Sequence, residues 1–298
     1  MLSLNYTLCF YNFSTASPVP SFMTNIQQIA ILGCGWLGFP LGKKLVQEGY
    51  SVKGSTTREA KLPLIEAVGI QPFLIRVETS LMGNDLPDFF EADILVLNLP
   101  PGGRKNPEAV RQHPAQIAAI LAEAAKSQRL KKVLFISSTG VYGSAIGKVT
   151  ETTPLQPDTT SGRALVEAEN LLSTQKKWDL TILRMAGLVG GERHPGRFLA
   201  GKKDVLGAQA PINLVHLDDC IAVIQQIFHQ EIWGEVFNVC ADEHPNKKTF
   251  YTLQTNKLGL EAPVFSHDQE GKDEKWVSNE KLKAMLHYTF LHPDPMQF

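Results

Sequence analysis

Short apolar runs alternate with stretches of helical spacing along most of the chain. Ile29-Ala30-Ile31-Leu32 is a compact β-type run that breaks into glycines, after which Leu41, Leu45 and Val46 fall at helical intervals. Tyr50 to Thr56 reads as a second strand entering a polar turn, Leu62 to Val68 as a helix with Pro63 in its first turn, and Ile70 to Val77 as a third strand. Gly83, Asn84, Asp85 and Pro87 mark a loop. Ala92 to Leu99 is nearly continuous in apolar residues, as a strand buried on both faces should be, and it ends in Pro100-Pro101-Gly102-Gly103. A helical pattern over 107–128 leads to another buried strand at Lys131–Ile136. This alternation predicts an α/β fold with a doubly wound parallel sheet.

Further along, Gly190 to Phe198 is too polar and glycine-rich for a strand or core helix. Ile221–Phe228, Lys248–Leu258 and a short stretch opening at Val277–Leu282 carry helical spacing. The expected organisation is a core over 25–190 and 212–240, a loop over 191–211 lying across the strand ends, and a small C-terminal lobe over 241–298. Residues 1–24 are uncharged, aromatic-rich and irregular, and lack the basic start and apolar centre of a secretory signal. They read either as a mis-called start, with Met23 as initiator, or as a loose tail, and are set outside the fold.

Composition narrows the function classes. A formal net charge of −1 with 20% charged residues gives no basic field for nucleic acid. No apolar run reaches the roughly 18 residues that would suggest a membrane span. Cys9, Cys34, Cys220 and Cys240 show no C-x-x-C spacing, which argues against a zinc site or disulfide framework and fits a reducing cytoplasm. Cys34 reads as a small residue that fits its turn rather than as an activated thiol. No H-x-x-x-H or paired-carboxylate spacing suggests a metal. An oligomer is compatible with all of this.

The glycines carry the first chemical signal. Gly33, Gly35 and Gly38 form G-x-G-x-x-G between a strand and a helix. In that setting the first permits a tight turn, the second lets the backbone approach a pyrophosphate, and the third lets helix and strand pack closely. Trp36 and Leu37 lie between them, and the helix N-terminus faces an anion. The expected architecture is therefore Rossmann-type and the expected ligand a dinucleotide. About 20 residues beyond the glycines an NAD-preferring fold needs a carboxylate for the ribose 2′-hydroxyl. The chain offers Ser55, Thr56, Thr57 and Arg58 instead, which favours NADP over NAD through charge-assisted bonds to a 2′-phosphate. Leu99 and Pro100 stand at a strand's C-terminal edge, where ligands of open α/β sheets bind.

Ser137-Ser138-Thr139-Gly140-Val141-Tyr142-Gly143 resembles the S-S-x-x-V-Y-G segment of extended short-chain dehydrogenases/reductases, the family of nucleotide-sugar epimerases and dehydratases. The resemblance continues in Leu183–Gly190, Val215–Asp219 and Val236–Val239. It implies that Ser138 hydrogen-bonds a substrate oxygen during hydride transfer. The family's acid/base tyrosine and the lysine four residues later should follow, on one helix face. Their places hold Ser161 and Leu165. With S-G-R at Ser161–Arg163 and the His194–Phe198 segment, this departure is similar to the atypical, YeeZ-like group, which keeps the nucleotide-binding half without the Tyr/Lys pair.

Few residues remain for chemistry. Tyr142 stands near the strand edge, either packed under the loop or beside substrate. Arg163 could stabilise an oxyanion but cannot serve as a base. His194 and Arg197, with Arg193 and the nearby Lys202 and Lys203, could grip an anionic small-molecule substrate. His216 reads as a buried structural imidazole, with Asp218 or Asp219 capping the next helix. The leading expectation is an NAD(P)-dependent oxidoreductase acting on a carbonyl or hydroxyl of a small or nucleotide-sugar-like substrate. The alternatives are a non-catalytic NADP(H)-binding sensor and a redox-neutral epimerase or dehydratase.

Overall fold

The computed structural model describes residues 28–102, 107–266 and 275–298. The expected N-terminal extension, with Cys9 and Met23, lies outside them. In chain order the elements are β1 (Gln28–Leu32), α1 (Gly38–Gln47), β2 (Ser51–Thr56), α2 (Leu62–Glu66), β3 (Gln71–Val77), β4 (Leu81–Gly83), α3 (Leu86–Phe90), β5 (Ile94–Leu97), α4 (Pro107–Ala124) and β6 (Lys132–Ser138). There follow β7 (Gly147–Val149), α5 (Thr160–Ser173), β8 (Asp179–Met185), β9 (Gly187–Val189), α6 (Gly196–Leu199), β10 (Leu214–His216), α7 (Leu217–Gln230), β11 (Val236–Val239), α8 (Lys247–Lys257), β12 (Lys275–Val277) and α9 (Glu280–Leu286).

Eight strands form one sheet in the order β11-β8-β6-β5-β1-β2-β3-β4, parallel except for the final β3–β4 pair. The chain starts at β1, winds outward through β2 and β3, then returns to β5 on the other side. β1 and β5 thus flank the point where the winding direction reverses, the place where ligands of such sheets sit. All four residues of β5 and four of the five in β1 are buried, which is why these segments read as unbroken apolar runs.

The expected loop at 83–87 is confined to Asn84 and Asp85, between an antiparallel edge strand that ends at Gly83 and a helical turn that begins at Leu86. Asp85 adopts left-handed backbone (φ 54°) and its carboxylate accepts from Asp88 N, so turn-type residues here cap a helix. The α7 cap is also reassigned: His216 Nδ1, not an aspartate, accepts from Asp218 N at 3.3 Å. Buried Asp219 accepts instead from Tyr288 Oη (2.7 Å), Leu291 N (2.7 Å) and His292 N (3.0 Å), which fastens the last residues to α7.

Residues beyond 240 are tied back at several points. β12 pairs in parallel with β7, and Asn279 Nδ2 donates to the Cys240 carbonyl at 2.8 Å. At the outer edge of the main sheet, Asn238 N donates to Glu151 Oε1 (2.8 Å) and Lys281 Nζ donates to the Val236 carbonyl (2.8 Å). Among the described residues no helix is long and apolar enough to cross a membrane.

Candidate functional site

A cavity of about 420 Å³ opens at the C-terminal ends of β1, β2, β5 and β6. Of the ten residues expected to contact the dinucleotide, nine line it: Gly33, Gly35, Trp36, Leu37, Ser55, Thr57, Arg58, Leu99 and Pro100. The tenth, Gly38, lies behind the wall and holds it in shape.

The three glycines differ in what surrounds them. Gly33 takes φ +109°, and a Cβ there would stand 2.5 Å from the Asn98 carbonyl oxygen. A Cβ on Gly38 would fall 2.2 Å from the Gly33 carbonyl oxygen, so helix and turn touch backbone to backbone. A Cβ on Gly35 would meet nothing within 4 Å. The first and third glycines are therefore needed by the fold itself, whereas the second opens on space.

Several amides of the turn are already engaged. Gly33 N donates to Ser55 Oγ at 2.9 Å and Cys34 N to the Ser55 carbonyl at 2.7 Å. Ser55, expected as a ligand to a 2′-phosphate, thus braces the turn from β2. Asn98, which the sequence reading passed over, donates through Nδ2 to the Gly33 carbonyl at 2.9 Å. No side chain caps α1 at its N-terminus; Phe39 N is taken by the Gly35 carbonyl at 3.1 Å and Pro40 carries no N–H, so it is the positive helix end, more than a row of free amides, that faces an anion in the cavity. Cys34 is buried, which pushes its thiol pKa up to about 12 and removes it as a nucleophile.

Among the described residues, Arg58, Lys61 and Arg193 bring three cations to the cavity and no carboxylate lines it. Arg193 stacks over Trp36 with its guanidinium carbon 4.3 Å from the ring centroid, while Trp36 Nε1 donates to the Gly190 carbonyl at 3.2 Å. The loop after β9 is thereby fastened to the glycine turn. Desolvation in this position lowers the Arg193 pKa without threatening its charge at neutral pH.

The other end of the cavity holds Ile136, Ser137, Ser138, Leu165 and Leu188. Ser138 Oγ accepts from Gly140 N at 3.1 Å, fixing the short helical turn beyond β6. Leu165, in the place that resemblance reserves for lysine, is buried in the wall. The part of the cavity beside Ser138 thus has apolar neighbours where an acid/base pair would stand.

Tyr142 is not brought to the cavity. It is fully buried, accepts from Arg184 Nη1 (2.8 Å) and donates to Asn238 Oδ1 (2.8 Å). Burial raises its pKa, so its proton stays in this network. Arg184 also pairs with buried Glu169 at 2.7 Å, and Glu169 accepts from Ser137 Oγ at 2.6 Å. Tyr142 is thus packed in the interior, away from the residues that line the cavity.

The three residues expected to grip substrate are likewise placed elsewhere. Arg163 is exposed on α5 and reaches toward the Pro157 carbonyl at 3.5 Å. His194 turns back to accept from Gly196 N at 3.1 Å, and Arg197 projects from α6 without lining the cavity. Of that basic loop only Arg193 reaches in. Lys61 lay beyond the turn considered at sequence level, and its signal was only a helical turn's offset from Arg58.

Fold and crevice together define an extended short-chain dehydrogenase/reductase, and the chain belongs to the NAD dependent epimerase/dehydratase family, whose pattern matches residues 29–240. It is 37% identical over 278 residues to Protein YeeZ of Escherichia coli strain K12, an alignment covering 91% of this chain and 98% of that one. The fold is similar to that of UDP-glucuronic acid 4-epimerase from Bacillus cereus, solved with UDP-glucuronic acid and NAD, with TM-score 0.73 and 20% identity over 91% of this chain and 96% of that one. It is also similar to a short-chain dehydrogenase/reductase superfamily protein from Agrobacterium tumefaciens with bound NAD, with TM-score 0.71 and 18% identity over 88% and 92% of the two chains.

Proposed function

We propose that the cavity binds a nicotinamide dinucleotide, with NADP preferred over NAD, and that the bound cofactor exchanges hydride with a carbonyl or carbinol carbon held near Ser138. The observation that carries this reading is a glycine turn and a helix end without a side-chain cap, beside which the described lining residues bring three cations and no carboxylate. The pyrophosphate would sit against Gly35 and the first turn of α1. Arg58 and Lys61, with the Thr57 hydroxyl, would take the 2′-phosphate, since a ribose diol would find no carboxylate acceptor among the lining residues. Arg193 and Trp36 would close over the cofactor. The 191–211 segment and the C-terminal lobe would lie on the substrate side. Relatives solved with a nucleotide sugar make an anionic, sugar-like substrate the first class to test.

In the reaction, hydride would pass between nicotinamide C4 and the substrate carbon, while Ser138 donates a hydrogen bond to the substrate oxygen. Leu165 can neither supply a proton nor lower the pKa of a neighbour, so the proton on that oxygen would have to come from water or from the substrate. The same observation favours a second reading, a dinucleotide-binding sensor without turnover.

Titration calorimetry with NADP(H) and NAD(H), followed by hydride exchange against sugars, nucleotide sugars and simple carbonyls, tests both. NADP(H) binding with exchange supports the oxidoreductase; NADP(H) binding without exchange supports the sensor. Turnover of a nucleotide sugar with no net change in cofactor would identify a redox-neutral epimerase or dehydratase. No binding of either dinucleotide would overturn the assignment of the cavity.

A further inference from the structure

Away from the nucleotide cavity, three side chains with metal-ligating atoms converge where β10 runs into α7. His216 ends β10, Asp218 lies in the first turn of α7, and His292 arrives from the C-terminal segment. His216 Nδ1 is 3.4 Å from Asp218 Oδ2, and His292 Nε2 is 3.2 Å from the same oxygen. All three ligand atoms lie within 4.8 Å of one another, and the two imidazole rings overlap with centroids 3.9 Å apart.

We propose that His216, Asp218 and His292 form a binding site for one divalent transition-metal ion of the zinc type. A four-coordinate ion with bonds of about 2.0–2.2 Å to imidazole nitrogen and carboxylate oxygen places its ligand atoms roughly 3.3–3.5 Å apart. Of the three edges here, one at 3.4 Å has that length and one at 3.2 Å falls just short of it. Two imidazoles and one carboxylate are a borderline donor set that suits zinc better than calcium or magnesium, which take oxygen ligands.

The backbone holds the donors in place without the ion. Asp219 is buried and accepts from both Leu291 N (2.7 Å) and His292 N (3.0 Å), so the chain carrying His292 is anchored one residue from Asp218. The other nitrogen of His216 faces backbone: a Cβ on Gly190 would come within 2.6 Å of Nε2, which leaves Nδ1 as the ligating atom. An ion would take the lone pair that now accepts from Asp218 N at 3.3 Å, a long contact near water, so that exchange costs little. Asp218 is exposed, which leaves the fourth position to water. Bound there, the ion would cross-link residues 74 apart in sequence and clamp the C-terminal segment to α7.

The test uses the full chain, stripped with a chelator and titrated with Zn²⁺ and Co²⁺. Expected are one Zn²⁺ per chain, a zinc-dependent rise in Tm, and the visible bands of four-coordinate Co²⁺ without the near-ultraviolet thiolate band that cysteine ligation would give. Asp218→Asn and His292→Ala should each weaken Zn²⁺ roughly tenfold or more. His229→Ala, an exposed histidine on α7 outside the cluster, should leave it unchanged. If either cluster variant fails to fold, the wild-type cobalt spectrum decides. A wild-type chain without a zinc-dependent Tm shift or cobalt bands, cobalt bands carrying thiolate character, or binding undiminished in both folded variants would overturn the site.

Discussion

At the scale of single residues, the glycine turn separates what the fold needs from what a ligand would need. Gly35→Val places its Cβ where no atom lies within 4 Å, so Tm should hold while nucleotide binding is abolished in a titration. Gly38→Ala drives a methyl into the Gly33 carbonyl and should cost about 1–3 kcal/mol of stability, measured by denaturant unfolding. Arg58→Ala should weaken NADP by roughly tenfold or more, the value of a charged hydrogen bond, and leave NAD unchanged. Equal effects on both would show that Arg58 does not read the 2′-phosphate. Tyr142→Phe removes a hydroxyl bonded to Arg184 and Asn238; stability should fall by about 1–3 kcal/mol with dinucleotide affinity unaltered. The turn was legible in the sequence because its geometry is local. Which of Arg193, His194 and Arg197 points inward was not, because that depends on Trp36, more than 150 residues earlier, whose ring receives Arg193.

Elements show the same division. Strands such as Ile94–Leu97 and the doubly wound, parallel character of their sheet followed from apolar runs separated by helices. β4 and α3 were hidden because Gly83, Asn84 and Asp85 also serve hairpins and helix caps. The β7–β12 pairing joins short segments far apart in sequence, and neither carries a pattern that names the other. Between β6, β8 and α5, the ion pair of Arg184 with Glu169 is buried on both sides. Glu169→Ala would strand the guanidinium and leave Ser137 without its acceptor. It should cost about 3–5 kcal/mol in equilibrium unfolding, far more than loss of an exposed pair such as Lys148 with Glu280.

For the whole molecule, buried titratable groups set the pH range of stability. Burial lowers the pKa of His113, whose Nε2 contacts the Leu99 carbonyl at the cavity wall. The neutral imidazole therefore favours the folded state above its ordinary pKa of 6.5, and this contribution is lost as pH falls through the lower folded value. Burial raises the thiols of Cys34, Cys220 and Cys240 above their ordinary 9.0. The unfolded chain releases those protons first, so stability should decline above pH 9 by roughly 1.4 kcal/mol per unit for each thiol. Tm measured across pH should show a plateau between these limbs; a flat profile to pH 11 would contradict the burial of the thiols.

The outer margin of the sheet has a consequence for how copies of this chain could meet. On β11, one main-chain amide is occupied by the Glu151 carboxylate and one carbonyl by the Lys281 ammonium, while the opposite margin ends in three residues running the reverse way. Neither rim offers a long free ladder for another copy's backbone to zip onto. A main sheet continuing from molecule to molecule is therefore disfavoured, and any self-association would rest on side-chain contacts instead.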